Sequence, residues 1–264
     1  MNENTALMKI RDLRGGYGEQ PVLEQVSFDV RRHEILVIVG RSGCGKSTLL
    51  KYMLGLMTPW NGSISYNDTP LFSDDNESLR SIRRHWGVLF QSGALLASMT
   101  LLENVILPIQ EFIDTSAEQM ELAALRKLDL VGLAEFASSY PLEVSGGMQK
   151  RAGLARAMVL DPEILFFDEP SAGLDPVTSR ELDLLIRNIN RRMKTTMVIV
   201  THELQSIFTI SDRVIMLDED ERGIIAMGDA RELQRNSTDS RVRAFFRREL
   251  EQEEGVETHV TGSE

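Results

Sequence analysis

Eight consecutive residues, Gly40-Arg41-Ser42-Gly43-Cys44-Gly45-Lys46-Ser47, fit the spacing G-x-x-x-x-G-K-[ST], which suits the holding of a polyphosphate. Glycines let successive backbone N–H groups close on one anion, and the helix that follows adds the positive end of its dipole. Lys46 reaches the β- and γ-phosphates as a point charge and the Ser47 hydroxyl suits Mg²⁺, so the phosphate-binding set runs from Gly40 through Thr48. A second constellation is Asp168-Glu169, entered from the apolar run Ile164 to Phe167. An acidic residue at the mouth of a buried strand parallel to the phosphate-loop strand lies beside the metal: Asp168 binds it directly or through water, while Glu169 polarises the attacking water. A third is Val144-Ser145-Gly146-Gly147-Met148-Gln149-Lys150-Arg151. There Ser145 caps a helix whose first amides two glycines leave open, a second anion site at a helix N-terminus. One nucleotide needs only one such loop, so the second is expected to serve a neighbour's nucleotide in a head-to-tail dimer.

Those residues need a scaffold of strands feeding loops. Leu7 to Arg14 and Val22 to Val30 alternate apolar and polar residues around Gly15-Gly16-Tyr17-Gly18, an antiparallel hairpin with which the sheet is expected to start. Ile35 to Val39 is a buried strand and Thr48 to Leu56 a helix. Gly62 to Tyr66 is a short strand, Asp68 to Asn76 is turn-rich, Ser78 to Arg84 is a short basic helix, and Gly87 to Phe90 is a strand ended by Gln91. Between Thr100 and Leu130 the apolar positions Leu101, Val105, Ile109, Leu122, Leu125 and Leu128 take helical spacing, giving a helical insert that ends near Tyr140-Pro141. Ser145 to Leu160 and Val177 to Arg192 read as helices, Ile164 to Phe167 and Met197 to Val200 as strands. Such alternation implies a parallel sheet covered on both faces. Val214 to Leu217 and Gly223 to Met227 form a hairpin, and one or two helices cover Arg231 to Leu250.

Within that scaffold His202, after Val198 to Thr201, sits at a strand end facing the crevice of Asp168. Tyr17 offers a flat surface for a purine ring, or packs the hairpin. Cys44 has no partner base in the sequence and reads as a tolerated loop residue rather than a nucleophile.

Composition narrows the classes. The chain has 264 residues, 42% of them hydrophobic and 26% charged, and a formal net charge of -11. That balance opposes nucleic-acid binding, which recruits basic faces. Six acidic residues (Glu249, Glu251, Glu253, Glu254, Glu257 and Glu264) crowd the C-terminal end with no Lys or Arg among them. A single cysteine excludes an internal disulfide and fits a reducing, cytoplasmic setting. No run approaches the roughly 18 apolar residues of a membrane span, so a membrane role is expected through a partner.

Taken in order, the phosphate loop, Gln91, Ser145-Gly146-Gly147, Asp168-Glu169, Ser171-Ala172-Gly173-Leu174-Asp175 and His202 resemble an ATP-binding-cassette (ABC) transporter ATPase subunit over residues 6 to 235. The resemblance implies an α/β P-loop NTPase fold: a mixed, mostly parallel sheet core, an N-terminal antiparallel β-subdomain and a helical insert at about 92–160. It makes 1–240 the ATPase domain and leaves 241–264 as a C-terminal helix and acidic tail. It implies ATP and Mg²⁺ as ligands, Tyr17 stacked on adenine, Gln91 on Mg²⁺ and the lytic water, Asp175 linking the two sites of a homodimer, and His202 on the γ-phosphate. Ser145 to Met158 and Phe90 to Leu96 are most similar to ATPases of Mla-type phospholipid transporters. Those are peripheral proteins of the cytoplasmic face of the bacterial inner membrane, working with an integral permease and a lipid-binding MCE-domain protein. An importer ATPase for amino acids or another small solute shares every catalytic motif, and a soluble cassette ATPase outside transport is a further alternative.

Two stretches keep two readings each. Leu95, Leu96, Met99, Leu101 and Leu102 form either a groove for a permease helix or the core of the insert. Phe245 and Phe246, among Arg241, Arg243, Arg247 and Arg248, either dock on another subunit or pack on their own domain ahead of a solvated tail.

Overall fold

The computed structural model describes residues 5–72 and 76–247. Two sheets divide the work. β1 (Ala6–Tyr17) and β2 (Gln20–Arg31) pair antiparallel around Gly18-Glu19, and with β4 (Asn61–Tyr66) and β5 (Thr69–Pro70) make a four-stranded sheet of order β2-β1-β4-β5. The second sheet has the order β10-β9-β3-β8-β7-β6. Its members are β3 (Ile35–Val39), β6 (Trp86–Leu89), β7 (Ile164–Asp168), β8 (Thr196–Val200), β9 (Arg213–Asp218) and β10 (Gly223–Gly228). All its pairings are parallel except β9 with β10.

The hairpin therefore does not begin the sheet that carries the phosphate loop, as the sequence reading expected. Alternation at period two fixes which face of a strand is buried but not which strand lies beside it. Glycines 15 and 16 and Tyr17 also belong to β1, so the turn is shorter than the glycine-rich run.

The six-stranded sheet is buried on both faces, which explains its unbroken apolar strands. On one face Val37, Phe167 and Ile199 meet the helices; on the other Ile38, Phe166 and Val198 meet the antiparallel sheet and α1 (Lys46–Met53). After α2 (Asn76–Arg83), the insert comprises α3 (Leu101–Phe112) and α4 (Ala117–Leu130), followed by α5 (Gly146–Met158). Thr100 starts α3 with a capping box, its hydroxyl accepting from the Glu103 N–H while Glu103 accepts from the Thr100 N–H. Leu122 does not join the core: it is exposed, and α4 buries only Ala124 and Leu128 fully. Leu101 is buried in the core, Leu95 and Leu102 are half-buried against it, and Leu96 is exposed.

The remaining helices are α6 (Pro176–Met193), α7 (Leu204–Ile210), α8 (Ala230–Asn236) and α9 (Ser240–Arg247). The seven-residue α7 was not anticipated from sequence. Val242 and Phe246 of α9 are buried, and the Phe246 ring packs 5.7 Å from that of Phe208. That part of the C-terminal run packs on its own domain. Arg248 and the acidic tail lie outside the described residues.

Candidate active site

The phosphate loop joins β3 to α1. Gly40, Gly43 and Gly45 take φ values of +147°, +88° and +99°, a region that side chains disfavour. At Gly40 the requirement is also spatial, since a Cβ would meet the Leu217 carbonyl oxygen at 2.5 Å and Cys44 Sγ at 2.6 Å. Gly45 caps α1 without a side-chain hydrogen bond, so the first amides of the helix remain free for an anion. Lys46 Nζ is buried and donates to the carbonyls of Gly40 and Arg41, 2.9 Å each. It arches over the loop at the place where phosphate charge would collect.

The loop opens into a cleft of about 1020 Å³ framed by Tyr17 and Val22 from the hairpin, by Gln91, by Glu169 and His202, and by Phe245 of α9. That volume sits at the large end of small-molecule sites, about 300–1,000 Å³. Arg41, Ser42, Gly43, Ser47 and Thr48 also line it. Tyr17 is about half exposed, at 49%; Lys51 Nζ donates to its hydroxyl at 3.2 Å and lies 5.7 Å from the ring centre. Its ring is thereby oriented, and half of it remains accessible.

Cys44 departs from the sequence grouping. It contributes backbone to the loop, but its side chain is 1% exposed and packs into the core beneath, where burial pushes the thiol up. Glycines on both sides turn the chain so that this one side chain points inward.

At the end of β7, Asp168 Oδ1 accepts from Ser47 Oγ at 3.4 Å. Burial pushes the Asp168 carboxyl above its ordinary range, opposed by the Ser47 hydroxyl and by Lys51 and Lys46. Ser47 and Asp168 offer a pair of hard oxygens, and among the described residues no group of three His, Cys, Asp or Glu is placed to hold a metal. Such a donor set fits Mg²⁺, which keeps its waters and takes one or two protein oxygens together with phosphate oxygens.

Glu169 has φ +48°, with its N–H bonded to the Val200 carbonyl at 2.9 Å. A non-glycine residue held there costs free energy and marks a place where neighbours over-determine the backbone. Its Oε1 lies 2.9 Å from His202 Nδ1, while Oε2 is buried without a partner. One oxygen is thus held, and the other has an unmet capacity to accept a hydrogen bond. Gln91 follows β6 and shares a hollow with Asp168. Its backbone carbonyl accepts from Lys150 Nζ on α5. Burial lowers the Lys150 ammonium pKa, while the carboxylates of Glu169 and Glu203 oppose that shift.

Six residues of the expected site do not line this cleft: Cys44, turned under the loop, Asp168, which lines the adjoining hollow with Gln91, and Ser145, Gly146, Gly147 and Asp175. Ser145 Oγ caps α5, accepting from the Met148 N–H at 3.3 Å. Asp175 caps α6, accepting from the N–H groups of Val177 and Thr178 at 3.0 Å each and from Thr178 Oγ1 at 2.5 Å. The two caps meet, because Gly147 is buried against Thr178, whose Cγ2 would stand 2.4 Å from an added Cβ.

A family model described as "ABC transporter" matches residues 23–172, from β2 through the phosphate loop, the Ser-Gly-Gly segment and Asp168-Glu169. The chain belongs to the ABC transporter family. Among its relatives in that family, "Probable ribonucleotide transport ATP-binding protein mkl" of Mycobacterium leprae (strain TN) is 40% identical over 239 residues, 90% of this chain and 68% of the relative. "Methionine import ATP-binding protein MetN" of Brucella abortus (strain 2308) is also 40% identical, over 83% of this chain and 58% of the relative. The chain thus spans between about three fifths and two thirds of the length of these curated relatives. A solved relative, the ATP-binding cassette MJ0796 in a dimeric post-hydrolysis state bound to ADP and Pi, superposes with a TM-score of 0.75 at 30% identity, over 84% of this chain and 98% of that one. CbiO1 of Clostridium perfringens has a TM-score of 0.80 at 22% identity, over 96% of this chain and 99% of that one, and shows the same fold. The α/β P-loop fold with its antiparallel sheet and helical insert is that of the ABC cassette. Among the described residues no helix is long and apolar enough to cross a membrane.

Sequence reasoning missed four parts of the site, one of them Leu204 at the start of α7, which lines the cleft. Val22 lines the cleft from inside a strand and Phe245 from the last described helix, and neither carries a motif. Lys150 was named only as one of the residues following the Ser-Gly-Gly segment. Its three-residue spacing with Gly153 and Arg156, along one face of α5, was the available signal.

Proposed function

We propose that the chain binds ATP with Mg²⁺ and hydrolyses it as one half of a head-to-tail homodimer, driving an integral membrane permease from the cytoplasmic face of the inner membrane. The observation that carries this reading is the convergence of the Ser47–Asp168 contact and the Glu169–His202 pair on the cleft floored by the phosphate loop. Lys46 and the loop amides hold the phosphates, with Ser47, Asp168 and Gln91 as the oxygen ligands of the metal. When bound, Mg²⁺ neutralises charge on the β- and γ-phosphates. Glu169, fixed by His202, accepts a proton from water as that water's oxygen attacks the γ-phosphorus. The bond from the γ-phosphorus to the β–γ bridging oxygen breaks, and ADP and phosphate leave. His202, 63% exposed beside Glu169, is placed to meet the γ-phosphate.

Ser145, Gly146 and Gly147 lie away from their own cleft, which supports their use on the partner's nucleotide. The solved dimeric relative bound to ADP and Pi supports both the dimer and the reaction. Asp175, at the Gly147–Thr178 contact, is the residue through which the two sites communicate. Tyr17 takes the adenine ring, and the exposed Leu96, in the segment that follows Gln91, belongs to the permease contact.

The cargo is phospholipid moving between bacterial inner and outer membranes, with an MCE-domain protein as the further partner. This rests on the likeness of the run from Ser145 to Met158 to Mla-type ATPases. A second reading, a small polar solute, is favoured by the relatives' descriptions as ribonucleotide-transport and methionine-import proteins. Two measurements test the proposal. Glu169→Gln should lower kcat by about 10²- to 10⁴-fold, the usual worth of a positioned base, while ATP still binds; hydrolysis within a few-fold of wild type would remove Glu169 from its role. Detergent extraction of the chain with its membrane partners, followed by mass spectrometry of co-purified small molecules, should find phospholipid and an MCE-domain protein. A complex without that protein whose hydrolysis is stimulated by methionine or a nucleoside would establish the second reading.

A further inference from the structure

One face of α5 is fitted to the loop after β6. Lys150, Gly153 and Arg156 follow at three-residue intervals along it. Lys150 Nζ donates to the Gln91 carbonyl. Arg156 donates from Nη1 to the Ala94 carbonyl at 2.7 Å and from Nη2 to the Gly93 carbonyl at 2.9 Å. Gly153 lets the two elements touch, since a Cβ there would stand 2.8 Å from Leu89 Cδ1 and 3.1 Å from the Gly93 carbonyl oxygen. Gly93 and Ala94 adopt φ values of +72° and +49°, a left-handed pair in the segment whose carbonyls meet the helix.

Holding a loop does not require a buried ammonium. Lys150 is only 6% exposed, and desolvating a cation is costly unless its surroundings return that free energy. A methionine would fill the same channel without this penalty. The surroundings here are functional: besides the Gln91 carbonyl, the ammonium is within electrostatic reach of Glu169 and Glu203. The same helix begins at the Ser145 cap, one turn away from Lys150.

We propose that Lys150 is a positioning residue for hydrolysis: from α5 it holds Gln91 by its backbone carbonyl and ties it to the Ser145-Gly146-Gly147 segment at the head of the same helix, with its charge facing the side of Glu169. This rests on the proposed ATPase function and extends it.

The experiment uses the full-length chain in its complex and measures kcat, KM for MgATP and Tm for wild type, Lys150→Met, Lys150→Gln and Lys150→Arg, with Glu169→Gln as the hydrolysis control. Lys150→Met should keep KM within about twofold and lower kcat by roughly ten- to a hundredfold, the scale expected when positioned groups drift. Its Tm should stay within about 2 °C of wild type or rise, because a buried charge has been removed. Lys150→Gln retains a donor toward Gln91 without the charge and should fall between the two; Lys150→Arg should recover most of kcat. A kcat for Lys150→Met within about twofold of wild type overturns the inference while leaving the ATPase reading intact. A loss of kcat matched by a large fall in Tm, with no recovery in Lys150→Arg, also overturns it, assigning Lys150 to stability alone. A wild-type chain that does not hydrolyse ATP overturns both readings.

Discussion

Asp183, in the middle of α6, is 3% exposed and its Oδ1 has no hydrogen-bond partner. Burial pushes its carboxyl up to about 6 from the usual 3.8; the Ser206 hydroxyl opposes the rise and the Glu203 charge adds to it. The native state therefore binds the proton more tightly than the unfolded chain. The stabilisation from that proton is complete below about pH 3.8 and is lost as pH rises through about 6. Above that window the fold carries an ionised, buried carboxylate. A displacement of about two units at 1.36 kcal/mol each sets the cost near 3 kcal/mol, and partial solvation lowers it to about 1–3 kcal/mol. Asp183→Asn keeps the shape and the hydrogen bond to Ser206 without the charge. It should gain little at pH 4, gain progressively to pH 6 and hold a constant advantage of about 1–3 kcal/mol at pH 7 to 8, a Tm increase of several degrees at this chain length. Thermal or urea melts of both proteins across pH 4 to 8 measure it. An equal effect at every pH, or a loss of stability at pH 7.5, would refute the reasoning by showing that the native carboxylate is not carrying an unpaired charge.

Two further predictions concern the dimer and the seam between sheets. Chains mutated in the Ser-Gly-Gly segment (Gly147→Val) and chains mutated in the phosphate loop (Lys46→Ala) should each be inactive alone. Mixed, they form heterodimers with one intact composite site and should regain partial hydrolysis; no recovery at any ratio would count against completion of the site in trans, and nucleotide crosslinking from position 147 would separate that outcome from strict coupling of the two sites. Arg213 meets Glu34 through two hydrogen bonds of 2.6 and 3.0 Å, both side chains being nearly enclosed. Arg213→Met should cost about 3–5 kcal/mol by stranding the carboxylate, and adding Glu34→Gln should recover a large part; a double variant as unstable as the single one, judged by urea midpoints, would show that the pair is not the source.

What was legible in the sequence was what depends on neighbours in the chain. Ile164 to Phe167 and Met197 to Val200 could be read as buried parallel strands because both faces of each are covered and no polar residue interrupts them. The phosphate loop was readable because its chemistry lies in consecutive backbone groups. Partners far along the chain were not legible. The hairpin's alternation was right, yet its sheet was misjudged because β4, not β3, lies along its edge, with β5 beyond it. Leu122 keeps the helical spacing of its neighbours but is exposed, because α4 turns Ala124 and Leu128 to the core instead. Cys44 looked like one more loop residue until the left-handed glycines on either side turned its side chain under the loop.

Lys150 shows the limit most sharply. Consecutive helical residues point about 100° apart, so in the pair Lys150-Arg151 one cation can be buried while the other is not. Composition does not distinguish them, and propensity treats the two alike. The distinction comes from β6 and the loop behind it, which approach α5 along the line of Gly153 and present the carbonyls of Gln91, Gly93 and Ala94 to that face alone. A buried cation with backbone acceptors on one side and the carboxylates of Glu169 and Glu203 within reach is therefore a property of where three segments meet. For that reason the coupling between the two ends of α5 could be argued only after the fold was known.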